Sequence, residues 1–122
     1  MYLDEIRTYC LSKKGVIEDF PFDNDTLVFK VMGKMFALIS LRSWEQGLPS
    51  MNLKCDPDYA LELRASYGSI KGGYHMNKKH WNTLSLDSGD LSFSFIRELI
   101  DHSYDLVIKN LPKAKKIELE GL

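Results

Sequence analysis

The stretch TLVFKVMGKMFALISL, from Thr26 to Leu41, decides the expected fold. Two runs rich in β-branched and aromatic residues flank Met32-Gly33, and runs of this composition favour strands. The glycine makes this pair the plausible tight turn between the two runs, because glycine readily adopts the backbone conformations that such turns require. The stretch therefore predicts a β-hairpin whose tip lies near Gly33.

A helix is predicted ahead of this hairpin, and further strands are predicted on both sides of it. Leu3, Ile6 and Cys10 recur at helical spacing, and Gly15 favours a helix end, so the first helix is expected over residues 3–14. The additional strands are VIEDF, MNLKCD, SIKGGYHM and HWNTLSL, at residues 16–20, 51–56, 69–76 and 80–86. The segment RSWEQGLPS, residues 42–50, is expected to be a loop because of its Gly, Pro and Ser content.

Two more helices are predicted in the second half of the chain. Asp56-Pro57 is typical of a helix start, because aspartate accepts unpaired amide hydrogens and proline gives up a donor that has no partner there. That helix is expected to end near Ser66. The last helix is expected between an Asp90 cap and the break at Pro112. Its apolar stripe comprises Phe95 or Ile96, Leu99, Ile100, Tyr104, Val107 and Leu111.

The order of these elements, α-β-β-β-β-α-β-β-α, predicts the fold class. Successive strands joined by short connections favour an antiparallel sheet, and amphipathic helices need an apolar sheet face to cover. We expect an α+β fold of two layers, with five or six antiparallel strands packed against three helices. A length of 122 residues fits a single domain spanning residues 1–122.

Composition and charge restrict the possible functions. The formal net charge of −1 argues against binding nucleic acid through overall positive charge. Residues 27–86, however, hold eight basic and four acidic side chains, so the positive charge is concentrated in the middle of the chain. The apolar runs are far shorter than the ~20 residues of a membrane span, and the N-terminus does not resemble a secretory signal. No membrane partner and a cytoplasmic location are therefore expected.

Neither a metal site nor a catalytic site is indicated. His75 and His80 are five residues apart, but no nearby residue supplies the third and fourth ligands that zinc ordinarily needs. Cys10 and Cys55 have no metal-binding spacing and are expected to be buried free thiols. No nucleophile-and-base pattern is present, and no phosphate-binding loop. We expect a protein that is not an enzyme and holds no metal or cofactor.

Nucleic-acid binding has a local candidate in GGYHMNKKHWNTL, Gly72 to Leu84. Cations for phosphates would come from Lys71, Lys78, Lys79 and His80, and an aromatic group from Trp81 or Tyr74. A plain hairpin explains the same residues, because lysines at hairpin tips favour solubility and the aromatic residues can belong to the core. Composition leaves both interpretations open.

Three stretches carry a resemblance to a known family. KGGYHMNKKHWNTLSLD at residues 71–87, IDHSYDLVIKNLPK at residues 100–113 and FKVMGKMFAL at residues 29–38 closely resemble the MmcQ/YjbR family of small bacterial proteins. The similarity covers nearly the whole chain. It implies a compact α+β fold of the CyaY-like or secretion-chaperone-like kind, with no assigned catalytic residues.

The resemblance also implies a function. The family is described, by analogy, as gripping duplex DNA with two β-hairpin wings, which would make Lys34, Lys71, Lys78, Lys79 and His80 the contacts. Secretion-chaperone-like folds bind protein segments in grooves or along sheet edges, so a protein partner is the alternative. A continuous positive patch joining the two hairpins would favour DNA, and an exposed apolar groove would favour protein.

Overall fold

The computed structural model describes residues 3–122. Within them the helices are α1 (Leu3–Leu11), α2 (Leu41–Glu45), α3 (Pro57–Ser66), α4 (Phe93–Lys109) and α5 (Lys113–Glu120). The strands are β1 (Val16–Asp19), β2 (Thr26–Val31), β3 (Lys34–Ser40), β4 (Ser50–Lys54), β5 (Ile70–Gly72) and β6 (Trp81–Ser85). They form one antiparallel sheet in the order β1-β2-β3-β4-β6-β5. The predicted α+β class and antiparallel sheet are confirmed.

The hairpin that decided the expected fold is present as β2 and β3. Its two turn residues, Met32 and Gly33, both have positive φ, 50° and 81°. Positive φ at both central residues gives the backbone twist that matches two antiparallel strands joined by two residues. The tip near Gly33 is therefore confirmed.

One face of the sheet, the inner face, packs against α1, α3 and α4. The predicted stripe of α4 is confirmed, since Ile96, Leu99, Ile100, Tyr104 and Val107 are all buried. The predicted start of α3 is confirmed as well. Among the described residues, no helix combines the length and the apolar character needed to cross a membrane.

The opposite face, called here the open face, carries a second and smaller apolar cluster. Val28, Leu38 and Trp81 are buried there, on positions that alternate with the core residues along their strands. Met35 and Met76 pack against them. Met76 comes from the connection between β5 and β6, so this connection lies against the open face.

The expected number of three helices is wrong, because α2 and α5 were not anticipated. The segment expected to be a loop forms α2, where the Ser40 hydroxyl accepts a hydrogen bond from the Ser43 amide and the Trp44 indole donates to the Ser50 carbonyl at 2.9 Å. Pro112 ends the long helix region and also precedes α5, whose Leu119 is buried. Both short helices also contact distant residues, since the Arg42 amide of α2 donates to Asp25 at 2.6 Å and Leu119 of α5 lies beside Gly15. Local composition does not report such contacts.

Two predicted helix boundaries are also wrong. The first helix ends at Leu11 and not at residue 14. The cap of α4 is Ser92, whose hydroxyl accepts from the Phe95 amide at 3.1 Å. Asp90 instead accepts hydrogen bonds from the backbone amide and the hydroxyl of Ser69, tying the start of β5 to the loop before α4.

The expected buried free thiols are confirmed, and their burial predicts low reactivity. Cys10 and Cys55 are 0% and 3% exposed. Burial raises the pKa of Cys10 to about 12 and that of Cys55 to about 11. Because the thiolate is the reactive form, we expect a thiol-specific reagent at pH 8 to label neither residue rapidly in the folded protein and both after unfolding. Mass spectrometry of the labelled protein measures the rate at each cysteine. Rapid labelling of either cysteine in the folded protein would contradict this expectation.

Candidate nucleic-acid interface

The sheet topology brings both hairpin connections to one end of the molecule. β3 starts just after the Met32-Gly33 turn, and antiparallel pairing puts the last residue of β4, Lys54, toward that same end. Lys54 pairs with Trp81, the first residue of β6, so the connection 73–80 leaves the sheet there too. Because only β4 separates β3 from β6, two strand spacings, or about 10 Å, separate the nearest strands of the two hairpins.

This end of the sheet, called here the basic end, carries Lys34, Lys54, Lys78 and Lys79. A fifth lysine, Lys71, lies two residues further into the sheet, on β5 level with Leu38 of β3. All are exposed except Lys54, which is partly buried. The salt bridges of residues 3–122 involve none of the five. One carboxylate, Asp58 of α3, lines the same surface depression as Lys78 and Lys79 without forming an ion pair with them.

The opposite end of the sheet, the acidic end, carries Asp23, Asp25, Glu45 and Asp87. The net charge of −1 therefore conceals two ends of opposite sign. Arg42 lies among these carboxylates. Backbone amides of Thr26 and Asp25 donate to Asp23 and hold the pKa of its carboxyl below the usual value.

The second hairpin differs from the predicted one. β5 ends at Gly72 and not at residue 76, because the chain turns at Gly73. The Gly73 amide donates to the Trp81 carbonyl at 2.8 Å. A Cβ at Gly73 would lie 2.8 Å from the Trp81 Cβ and 2.9 Å from the Met76 Cβ, so a larger residue does not fit. The second half of the expected strand, residues 73–76, thus belongs to an eight-residue connection, residues 73–80.

Arg64 of α3 fixes this connection to the rest of the fold. Its guanidinium donates to the Asn82 side-chain oxygen at 2.7 Å, to the Trp81 carbonyl at 3.2 Å and to the Lys78 carbonyl. Sequence analysis missed Arg64, since it lies on another element and no local motif marks it. It also missed Lys54, whose place at the basic end depends on strand order.

The predicted contact residues have different surroundings. Lys78 is partly committed to structure, since its ammonium donates to the Gly73 carbonyl at 3.2 Å and its stem lies beside Gly72. Within residues 3–122, the side chains of Lys34, Lys71 and Lys79 form no salt bridge or hydrogen bond. His80 is partly buried, and its carbonyl accepts from the Cys55 amide at 2.8 Å.

The two histidines of the connection are not part of a metal-binding cluster in the described structure. Among residues 3–122, no three His, Cys, Asp or Glu side chains are grouped so that they could hold a metal ion. His75 has a positive φ of 58°, and its ring contacts the Tyr74 ring at 4.0 Å between centroids. These two rings lie on the open face beside Met76.

Comparisons with known proteins agree on one family. The family model described as YjbR matches residues 11–106. The uncharacterized protein YbdF of Escherichia coli O157:H7 is 46% identical over 96 residues, which is 77% of this chain and 74% of the relative. The uncharacterized protein YjbR of Escherichia coli K12 is 32% identical over 116 residues, 95% of each chain.

Solved structures show the same fold. A crystal structure of the Deinococcus radiodurans protein DR2400, described with the domain DUF419, has 40% sequence identity and a TM-score of 0.87, and it covers 97% of this chain and 87% of that chain. A crystal structure of a Pseudomonas syringae protein has 29% identity and a TM-score of 0.72, covering 87% of this chain and 98% of that chain.

Proposed function

Because this chain belongs to the YjbR family, whose matched relatives have names that state no activity, we propose its function from its own surface. It binds duplex DNA, without catalysing a reaction, by placing the lysines of the basic end against backbone phosphates. One observation carries the proposal. The fold gathers Lys34 of the first hairpin and Lys78 and Lys79 of the second at one end, with Lys71 two residues inward on β5, and all four lie outside every salt bridge of residues 3–122.

The spacing of the two hairpins supports this arrangement. Their nearest strands, β3 and β6, are about 10 Å apart, close to the ≈ 12 Å width of the major groove of B-DNA, which suits one hairpin on each side of a groove. Partly buried Lys54 lies between them and adds to the positive potential there. The acidic end faces away from the DNA in this arrangement, which orients the protein.

The chemistry of the contacts implies little sequence selectivity. Lysine ammonium groups act on phosphates as point charges, and phosphate contacts carry no direct sequence information. Asparagine is well suited to reading adenine, but Asn82 of β6 is buried and bonded to Arg64. The side-chain oxygen of exposed Asn77, in the connection, already accepts from the Lys79 amide at 2.9 Å. We therefore expect similar affinity for duplexes of unrelated sequence.

A matched pair of single substitutions tests the proposal. Lys79→Gln and Arg42→Gln each remove one positive charge from an exposed side chain, the first at the basic end and the second at the acidic end. Counterion release contributes nothing at 1 M salt, so parent and variant are taken to have equal affinity there. The loss of one phosphate contact then weakens affinity about 15-fold at 50 mM salt. We expect this 15-fold loss of affinity for Lys79→Gln and a change of less than about twofold for Arg42→Gln. Fluorescence anisotropy of a labelled 20-base-pair duplex measures both affinities. Equal losses would mean that net charge, and not the basic end, governs binding.

A further inference from the structure

The open face contains a groove that the proposed DNA contacts do not use. It has a volume of about 530 Å³ and lies between the loop joining β1 to β2 and the connection 73–80. Phe22 and Asp23 line it from the loop, Met35 and Leu38 from the sheet, and Tyr74 and Met76 from the connection. An adjoining depression of about 340 Å³ shares Leu38 and Tyr74 and extends the groove toward the acidic end. We name this surface the open-face groove.

The lining of the open-face groove combines exposed apolar side chains with polar ones. Phe22 is 64% exposed and Tyr74 is 70% exposed, and Leu48 at the far side of the adjoining depression is 62% exposed. Large apolar side chains that are exposed together mark surfaces that bind proteins or ligands. Met35 and Met76 add flexible, polarisable side chains that adapt to different partners.

Tyr74 is held in place at the edge of this groove. Its backbone amide donates to the Thr83 hydroxyl at 3.0 Å, and its ring packs against the ring of His75. His75 itself has a left-handed backbone with a φ of 58°, which is uncommon for a residue other than glycine. Such a fixed, exposed aromatic ring can bind a partner with little loss of conformational entropy.

The charge of the groove selects the class of partner. Asp23 and Asp25 line the groove itself, and Asp87 lines the adjoining depression. Hydrogen bonds from backbone amides and from the Ser40 hydroxyl orient the Asp23 and Asp25 carboxylates at this surface. Fixed carboxylates attract ammonium and guanidinium groups and repel phosphates.

From these observations we infer that the open-face groove binds a peptide segment of a partner protein that carries an aromatic or long aliphatic anchor next to Lys or Arg. The anchor packs between Tyr74, Phe22 and the two methionines. The cationic side chain reaches Asp23 or Asp87. Nucleic acid fits the groove poorly because its phosphates would meet these carboxylates.

This inference is independent of the proposed DNA binding, since the two use different residues. The groove variants Tyr74→Ala and Asp23→Asn leave Lys71 and the four lysines of the basic end in place. Asp23→Asn keeps a side-chain oxygen that can accept from the Asp25 and Thr26 amides, and it removes the charge together with the longer 3.3 Å hydrogen bond from the Thr26 hydroxyl. Matched controls are Leu61→Ala, an exposed apolar residue of α3, and Asp58→Asn, an exposed carboxylate at the basic end.

The experiment selects displayed random 12-residue peptides on the immobilised full chain and measures the affinity of the enriched peptides by anisotropy. We expect sequences with an aromatic or aliphatic anchor within a few residues of Lys or Arg. Tyr74→Ala should weaken their binding by about 30-fold, the effect of losing a hot-spot aromatic. Asp23→Asn should weaken it by about threefold and reduce its salt dependence. Both controls should bind within about twofold of the parent.

Several results would overturn the inference. They are the absence of enriched peptides, enrichment of acidic peptides, and enriched peptides whose affinity is unchanged by Tyr74→Ala. If the parent binds single-stranded oligothymidine and Tyr74→Ala abolishes this binding, the groove is a nucleic-acid site. If the parent sediments as a dimer and Tyr74→Ala sediments as a monomer, a second copy of the chain fills the groove. Lys34→Gln/Lys79→Gln should keep peptide binding, so a failure of DNA binding is distinguishable from a failure of this site.

Discussion

Replacing Ser103 with alanine is expected to lower the free energy of unfolding by about 2–4 kcal/mol, because it leaves two buried backbone groups without partners at roughly 1–3 kcal/mol each. Ser103 is fully buried on α4. Its hydroxyl donates to the Phe36 carbonyl at 2.6 Å and accepts from the Lys54 amide at 2.9 Å. β3 and β4 pair over only two residue pairs, Ala37 with Leu53 and Leu38 with Asn52. The Ser103 hydroxyl links the next two residues, Phe36 of β3 and Lys54 of β4, which lie just past this pairing.

Ser94→Ala is the matched control, since Ser94 is exposed on the same helix. Exposed substitutions usually change stability by less than about 0.5 kcal/mol. Urea unfolding of the two variants and the parent measures the difference. A Ser103→Ala variant as stable as Ser94→Ala would mean that water or strand movement satisfies the two backbone groups, and that Ser103 does not hold the sheet together at the basic end.

Replacing both Lys34 and Lys79 by glutamine is expected to weaken duplex binding by about 200-fold at 50 mM salt. This value takes the affinities of parent and double variant as equal at 1 M salt, where counterion release contributes nothing. These two lysines come from different hairpins, and both are exposed. Lys78 is a poorer choice because its ammonium donates to Gly73 and its stem packs beside Gly72, so its loss would also disturb the connection.

The double variant needs a stability control, because weak binding from a damaged fold would look the same. Neither side chain forms a hydrogen bond or salt bridge within residues 3–122, so urea unfolding should match that of the parent within about 0.5 kcal/mol per site. A folded double variant that binds duplex as tightly as the parent would remove both hairpins from the interface.

Local chemistry explains which parts of the fold were predictable. The β2–β3 hairpin and the start of α3 were predictable because turn and cap residues act on their own neighbours, as Gly33 and Asp56 do. The connection 73–80 was not predictable, since its course depends on Met76 packing against the apolar cluster of the open face and on the hydrogen bond from Arg64 of α3 to the Lys78 carbonyl. Sequence spacing does not report contacts of this kind.

The candidate site was predictable only in part, for a similar reason. The lysines were visible in the sequence, but their gathering at one end results from the strand order, which also adds Lys54. Several residues of the stretch 71–87, which carries the family resemblance, have structural roles. Gly73 allows the turn, and the Thr83 hydroxyl donates to the Asn52 side chain. Ser103, in the second motif, joins two strands.

The salt dependence of duplex binding tests the central claim most directly. Four exposed lysines in contact with phosphates predict a slope of log affinity against log salt of roughly −3.6, and two such contacts predict roughly −1.8. Anisotropy titrations from 20 to 300 mM salt, on two duplexes of unrelated sequence, should give the first slope for the parent and the second for Lys34→Gln/Lys79→Gln. Absence of binding at the lowest salt, or equal slopes for the two proteins, would contradict the assignment of the basic end to DNA.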